Sequence, residues 1–449
     1  MVIHEGAQKI LAFANCSVSC APWQLDRFHL GFSGSPFHLH DFLVWCEIRR
    51  TTASSRGGGD DLQPIKSLKT NTKVFLYARA FGLFLVYTGY AMYRTIPFYD
   101  YAEQGRDTRH GWRRLLHIAD DELGFASLPG AVGTEATRLG PDVPVRYSPR
   151  GFRIPVDSMP RTLPFKRPLI ITLGDSFTFG AYSRAKETFP SLLADRLDGT
   201  TLNAGFSSYG LAHMEILAQR LIPRYKPDWV VVQFSPWLAD RSQQILASSR
   251  GFIPSPYYYV DKDGNTELQK PLFRWFNWYK SLQDEGHLSA DQKTLKIGFL
   301  SFFLKVGLPY FAYADYHLWK ARLEMKTGIT AAPTGDDTAV NREAYRNIMK
   351  TTVDHSAKMV VVRLSRYSND HEQWENLKQS FKDSPILFLD AESVLMKKVG
   401  DNQEEYFKQY AFWYGSPPEM VDAHPNPEAH RIIADTVATA ILGSSQTNE

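Results

Sequence analysis

A serine becomes a useful nucleophile only when a base lies within hydrogen-bond reach and a third group orients that base. Ser176 follows Gly174-Asp175, and far downstream Asp422 and His424 stand two apart in Asp422-Ala423-His424-Pro425-Asn426. In a turn, that spacing sets the carboxylate against one imidazole nitrogen and leaves the other for Ser176. Attack on an ester carbonyl builds an oxyanion, for which the backbone N–H groups of Ser176 and Gly205 are candidate donors. Gly205, in Asn203-Ala204-Gly205, has no Cβ and so lets a substrate approach closely. Taken singly, Ser176 serves as well as a helix N-cap, and an Asp-x-His before a helix as a cap or surface pair. Their order and placement are what single them out.

The elements that must position these groups follow from periodicity. Residues 168–173 (PLIITL), 200–203, 229–234 (WVVVQF), 358–364 (KMVVVRL) and 386–389 read as strands, short and β-branched, the third continuous enough to be covered on both faces. Residues 189–197, 211–222, 342–356 and 430–442 read as helices. Alternating strands and helices predict an α/β fold, a parallel sheet with helices on both faces and right-handed crossovers. In such sheets function gathers at the carboxyl ends of the strands. Gly174-Asp175-Ser176 ends the first strand, Asn203-Ala204-Gly205 the second and Ser235-Pro236-Trp237 the third, while Asp422 and His424 precede the last helix.

Between the third and fourth strands, about residues 240–340 form a long insertion rich in Phe, Trp and Tyr. Its stretch 295–311 (LKIGFLSFFLKVGLPYF) reads as a lid or packing helix, with a second membrane contact as the other reading. Upstream, residues 74–93 are apolar or small except for Arg79 and Thr88, long enough to cross a bilayer, and residues 74–96 are the expected anchor. Arg49, Arg50, Arg56, Lys66, Lys69 and Lys73 precede it, which places the N-terminus in the cytoplasm and the rest outside. Residues 1–73 are an N-terminal region with a Gly- and Ser-containing linker over 51–72, and 97–164 form a polar, Pro-rich approach segment.

The blocks LIITLGDSFTFG (169–180), LNAGFSSYG (202–210) and DAHPNPEAHRIIA (422–434) resemble those of the SGNH, or GDSL-type, esterases and acyl hydrolases. The resemblance implies a flavodoxin-like three-layer α/β/α domain with a five-stranded parallel sheet over about residues 165–443. It places the nucleophile at Ser176, the base at His424, the acid at Asp422 and oxyanion donors at Ser176 and Gly205. Residues 121–130 (DELGFASLPG) and Gly151-Phe152-Arg153 are similar to the approach segment of members with an N-terminal membrane anchor. The family's third block carries an asparagine as a further oxyanion donor. Here residues 233–241 read QFSPWLADR, and Trp237 stands in that place. Its single indole N–H is a donor, and its ring suits packing or a substrate platform equally.

Composition narrows the function. Fifty-one Lys and Arg against 48 Asp and Glu leave a net charge of +3, too small to argue for a nucleic-acid partner. The cysteines, Cys16, Cys20 and Cys46, lack metal-ligand spacing even with His38 and His40 nearby, so no metal or other cofactor is expected. The expectation is a membrane-anchored serine esterase removing O-acyl groups from a glycan or lipid outside the cytoplasm, through an acyl-enzyme. An O-acyltransferase with the same nucleophile, or a noncatalytic carbohydrate-binding or assembly module, fits the same residues.

Overall fold

Strands that are buried on both faces read as uninterrupted apolar runs, and the central strands of this protein do so. In the computed structural model, β6 (Leu169–Leu173) and β8 (Trp229–Phe234) are buried at every position. Residues 70–103, 116–135, 140–158, 164–247, 253–260, 263, 265–275, 278–287, 295–328, 335–367 and 370–446 are described. The chain divides into two compact units, Met1–Arg79 and Ala80–Glu449. Of the first, only the start of helix α1 (Thr70–Glu103) is described. The expected linker therefore ends earlier than residue 72, and its remainder and the three cysteines lie outside the described residues. The span from Lys73 to Ile96 in α1 is 24 residues, and its most apolar 18 have a mean hydropathy of 1.3, so it is long and apolar enough to cross a membrane.

The second unit opens with short strands: β1 (His117–Asp120), β2 (Gly124–Ser127), β3 (Val132–Glu135), β4 (Val143–Tyr147) and β5 (Arg153–Ile154). These strands lie in the approach segment, where the sequence reading names no elements. In β4 the side chains of Val143, Val145 and Tyr147 alternate inward, a period of two too brief to stand out among the prolines and glycines. After β6 come the four-residue helix α2 (Ser176–Phe179), α3 (Phe189–Arg196), β7 (Thr200–Asn203), α4 (Leu211–Tyr225), β8 and α5 (Trp237–Arg241). The insertion contains the hairpin β9 (Tyr257–Val260) and β10 (Thr266–Gln269), α6 (Trp278–Asp284), α7 (Phe299–Phe302), a π-helical turn over Phe303–Gly307 and α8 (Leu308–Lys326). The fold resumes with α9 (Asp337–Asp354), β11 (Lys358–Arg363), α10 (His371–Ser380), β12 (Ile386–Asp390), α11 (Ala391–Lys398) and α12 (Gln403–Tyr410). The hairpin β13 (Phe412–Tyr414) and β14 (Glu419–Asp422) leads into α13 (Pro427–Gln446).

One sheet of eight strands, in the order β12-β11-β8-β6-β7-β5-β4-β3, carries the fold. β12, β11, β8, β6 and β7 run parallel, and β5, β4 and β3 continue the sheet antiparallel, so it is wider than the expected five strands. Successive side chains serve opposite layers. Ile171, Val230, Val232 and Val361 pack with Met214, Ala344, Tyr345 and Ile348 of α4 and α9. Ile170, Val231, Val360 and Val362 pack with Phe189, Leu193, Ile433 and Val437 of α3 and α13. A third core gathers the aromatic insertion with Phe125, Tyr147 and Phe206.

Candidate active site

The strand order turns back between the neighbours β6 and β8, whose following helices pass to different faces, and Ser176 sits at that reversal. Ser176 is the first residue of α2, directly after β6, and is 7% exposed. The turn is tight enough to demand Gly174, since a Cβ there would lie 2.0 Å from Thr178 Oγ1 and 2.5 Å from Gln233 Oε1. As the first residue of its helix, Ser176 has no carbonyl one turn back to occupy its amide.

His424 comes from the loop between β14 and α13. Its Nε2 lies 2.8 Å from Ser176 Oγ, and its Nδ1 is hydrogen-bonded to Asp422 Oδ1, which also accepts the His424 backbone N–H at 2.7 Å. The structure thus brings Ser176, His424 and Asp422 into one connected relay. Asn426 pins the loop: its side-chain amide donates to Gln409 O at 2.8 Å and Ala411 O at 3.1 Å, while its Oδ1 accepts the Ala429 N–H at 3.1 Å. Phe177 and Tyr182 set ring edges against the imidazole, with centroids 5.1 and 5.5 Å away. Burial pushes the Asp422 carboxyl up, but the charge and hydrogen bonds of His424, and then the Arg366 guanidinium, bring it below the usual carboxylate range. A carboxylate held ionised in this way fixes the imidazole tautomer that leaves Nε2 free to accept from Ser176.

The proposed oxyanion donors divide. The Gly205 N–H donates to Asn203 Oδ1 at 3.0 Å, so it meets a substrate oxygen only by giving up that bond. Its lack of a side chain serves packing, because a Cβ would lie 2.5 Å from the Phe179 nitrogen. The Trp237 indole N–H donates to Asp175 Oδ2 at 2.7 Å, and an indole has no second donor to offer.

Asp175 is the residue that sequence reasoning passed over. It is wholly buried, and its carboxylate also accepts the Phe177 N–H at 2.9 Å, Gln233 Nε2 at 2.8 Å and Arg241 Nη1 at 2.7 Å. Gln233 returns its Oε1 to the Asp175 N–H at 3.1 Å and the Thr178 hydroxyl at 2.8 Å. A polar residue inside the run WVVVQF was the available signal, since a buried amide must find partners. Arg366 and Arg241 flank the Trp237 ring, their guanidinium carbons 5.6 and 5.8 Å from its centroid. The backbone N–H groups of Ser365, Arg366 and Tyr367 donate to the buried Glu392 carboxylate at 3.0, 3.2 and 2.7 Å and hold that loop in place. Among the described residues, no group of three or more His, Cys, Asp or Glu is placed to hold a metal ion.

No family model and no curated protein matches the chain. Among solved structures it is similar to a putative lipolytic protein of the G-D-S-L family from Desulfitobacterium hafniense DCB-2, at 10% identity over 61% of this chain and 99% of that one, with a TM-score of 0.30. It is also similar to LAE5, an alpha/beta hydrolase enzyme from the metagenome of Lake Arreo, at 12% identity over 61% and 95%, with a TM-score of 0.32. A catalytic mutant of Axe2, an acetylxylan esterase from Geobacillus stearothermophilus, matches at 11% identity over 62% and 94%, with a TM-score of 0.31.

Proposed function

We propose that this protein is a membrane-anchored serine esterase of the SGNH type that removes O-acyl groups from a glycan or lipid outside the cytoplasm. The observation that carries the reading is the relay itself, with Ser176 Oγ 2.8 Å from an imidazole whose other nitrogen is bonded to Asp422. Ser176 Oγ attacks the ester carbonyl as His424 Nε2 takes its proton. The tetrahedral oxyanion forms against the Ser176 amide, and the Gly205 amide joins when it leaves Asn203. The imidazolium, held by Asp422, returns the proton to the departing alcohol and leaves an acyl-serine. Water then attacks the acyl carbon by the same route in reverse, releasing the acid and restoring the serine. With Trp237 tied to Asp175, the site has fewer oxyanion donors than the family pattern supplies. Since one such donor is worth two to three decades in rate, turnover of simple esters is expected to be slow.

A fluorescent serine-directed phosphonate tests the assignment. The full chain in detergent is expected to label covalently, and Ser176→Ala and His424→Ala to lose the label while keeping their circular dichroism. An intact fold that never labels would instead identify a binding module that has the geometry without the chemistry.

A further inference from the structure

α7, the π-helical turn and α8 form one rod whose outer side is an apolar stripe. Leu300, Leu304, Tyr316, Trp319 and Leu323 are between 44 and 61% exposed, and with Leu308 and Ala312 they recur every third or fourth residue, as one face of a helix does. The inner face is buried, with Phe302, Phe303, Val306, Tyr310 and Phe311 packed in the same core as Ala91 of α1. Asp315 of α8 accepts the Tyr87 hydroxyl at 3.0 Å and pairs with Arg94 at 2.8 Å. From Phe299 to Trp319 the acidic and basic residues are Lys305, Asp315 and His317, whose ring stacks on Phe273 with centroids 5.0 Å apart. Lys305 is paired with Glu285 at 2.7 Å.

What covers the stripe follows from α1. A hydrocarbon core of roughly 30 Å needs about 20 helical residues. From Val74 to Val86 every residue of α1 is exposed and, Arg79 aside, apolar or small, a run on the order of 13 residues or about 20 Å. To complete a crossing, lipid must also reach the next two turns, as far as Tyr93. Those turns are where the rod packs: Ala91 and Thr95 are 0% exposed, and a Cβ on Gly307 would lie 2.1 Å from Thr95 Oγ1. On the side away from the rod, Tyr90 and Tyr93 remain 44 and 73% exposed. If α1 spans, the rod enters the lipid with it.

We infer that the rod over residues 299–323 is a second membrane contact, seated beside α1 with its stripe from Leu300 to Leu323 in the acyl region of a phospholipid bilayer. This rests on the anchor reading of α1. Pairing Arg94 with Asp315 removes two isolated charges from that layer, where either alone would be costly. Lys320, Arg322 and Lys326 share the last two turns of α8 with Leu323, where Lys320 pairs with Glu324 at 3.7 Å, and long basic side chains carry their charge toward the headgroups at an interface.

Site-directed spin labelling tests the inference on the full chain, with Cys16, Cys20 and Cys46 replaced by serine, in vesicles of phosphatidylcholine with a minor fraction of phosphatidylglycerol. Labels are placed through Leu85→Cys on α1, Leu304→Cys and Leu323→Cys on the stripe, and Lys350→Cys on the exposed face of α9. The expected result is that labels at 304 and 323 match the label at 85, colliding several-fold more with oxygen than with a water-soluble nickel chelate, while the label at 350 shows the reverse. Labels at 304 and 323 that behave like 350 while 85 reports lipid would overturn the second contact and leave the anchor standing. A label at 85 that also reports water would remove the anchor reading and the inference together.

Discussion

Trp237 separates a residue that supports the site from one that would act on the substrate. Its N–H ends on Asp175, a carboxylate with four donors and no exposure, from which α2 and its serine are hung. Trp237→Phe keeps an aromatic ring beside Phe177 and removes that N–H together with part of the indole. A hydrogen bond to a charged group is worth about 1.5–3 kcal/mol, so the variant is expected to unfold at lower denaturant by about that amount. The rate of phosphonate labelling at Ser176 is expected to change by no more than about threefold, because loss of a true oxyanion donor would slow the chemistry by roughly a hundredfold or more. Denaturant titration and labelling kinetics on the same samples check both halves. The connected side chains Ser176, Asp422 and His424 could be picked out in the sequence because the proposed chemistry restricts which residue types will serve. Arg241 and Arg366 could not, since each acquires its role from a contact far away in the chain, across 66 residues in the case of Arg241 and Asp175.

At the scale of elements, β5 is two residues long and yet joins the antiparallel strands to the parallel ones through the pair Arg153 and Asn203. Arg153 is 4% exposed, and its guanidinium donates to the carbonyls of Phe179 and Gly180 at the end of the short helix α2 and of Ser183 in the turn that follows it. The rim of the sheet thereby fixes the helix that carries the candidate nucleophile. A lysine is a point charge without the planar fork and cannot serve all three carbonyls. Arg153→Lys is expected to lose on the order of 2–4 kcal/mol of stability and Arg153→Met more, as buried carbonyls are left unpaired, measured by denaturant unfolding. Which elements the sequence betrays depends on where they pack. β6, β8 and β11 are covered on both faces and read as unbroken β-branched runs. α10, with only Trp374 and Leu377 among its buried residues, and β1 to β5, four or five residues long at most, carry too little pattern to announce themselves.

At the scale of the whole molecule, His213 and His430 are held neutral in the interior of the described residues. Burial pushes both His213 and His430 down to about 3, and neither His430 ring nitrogen has a hydrogen-bond partner among the described residues. The unfolded chain takes up a proton at each near pH 6.5, while the folded chain does so only near pH 3, so between those values the unfolded state binds more protons and stability falls as pH falls. Each histidine contributes a slope of about 1.4 kcal/mol per pH unit in that window. Glu215 and Glu392, whose carboxyls burial raises, act in the opposite direction above the usual carboxylate value, so the parent protein shows only the net slope. His430→Phe isolates one contribution, since an aromatic ring of similar size can remain beside Phe189 without a site to protonate. Thermal unfolding of the detergent-solubilised full chain from pH 7 to pH 4 is expected to show the variant losing less stability than the parent, by about 1.4 kcal/mol for every unit below 6.5. Parallel curves for the two proteins would mean that His430 is already charged in the folded state, and the packing of α13 against α3 would then have to admit water or an unseen acid.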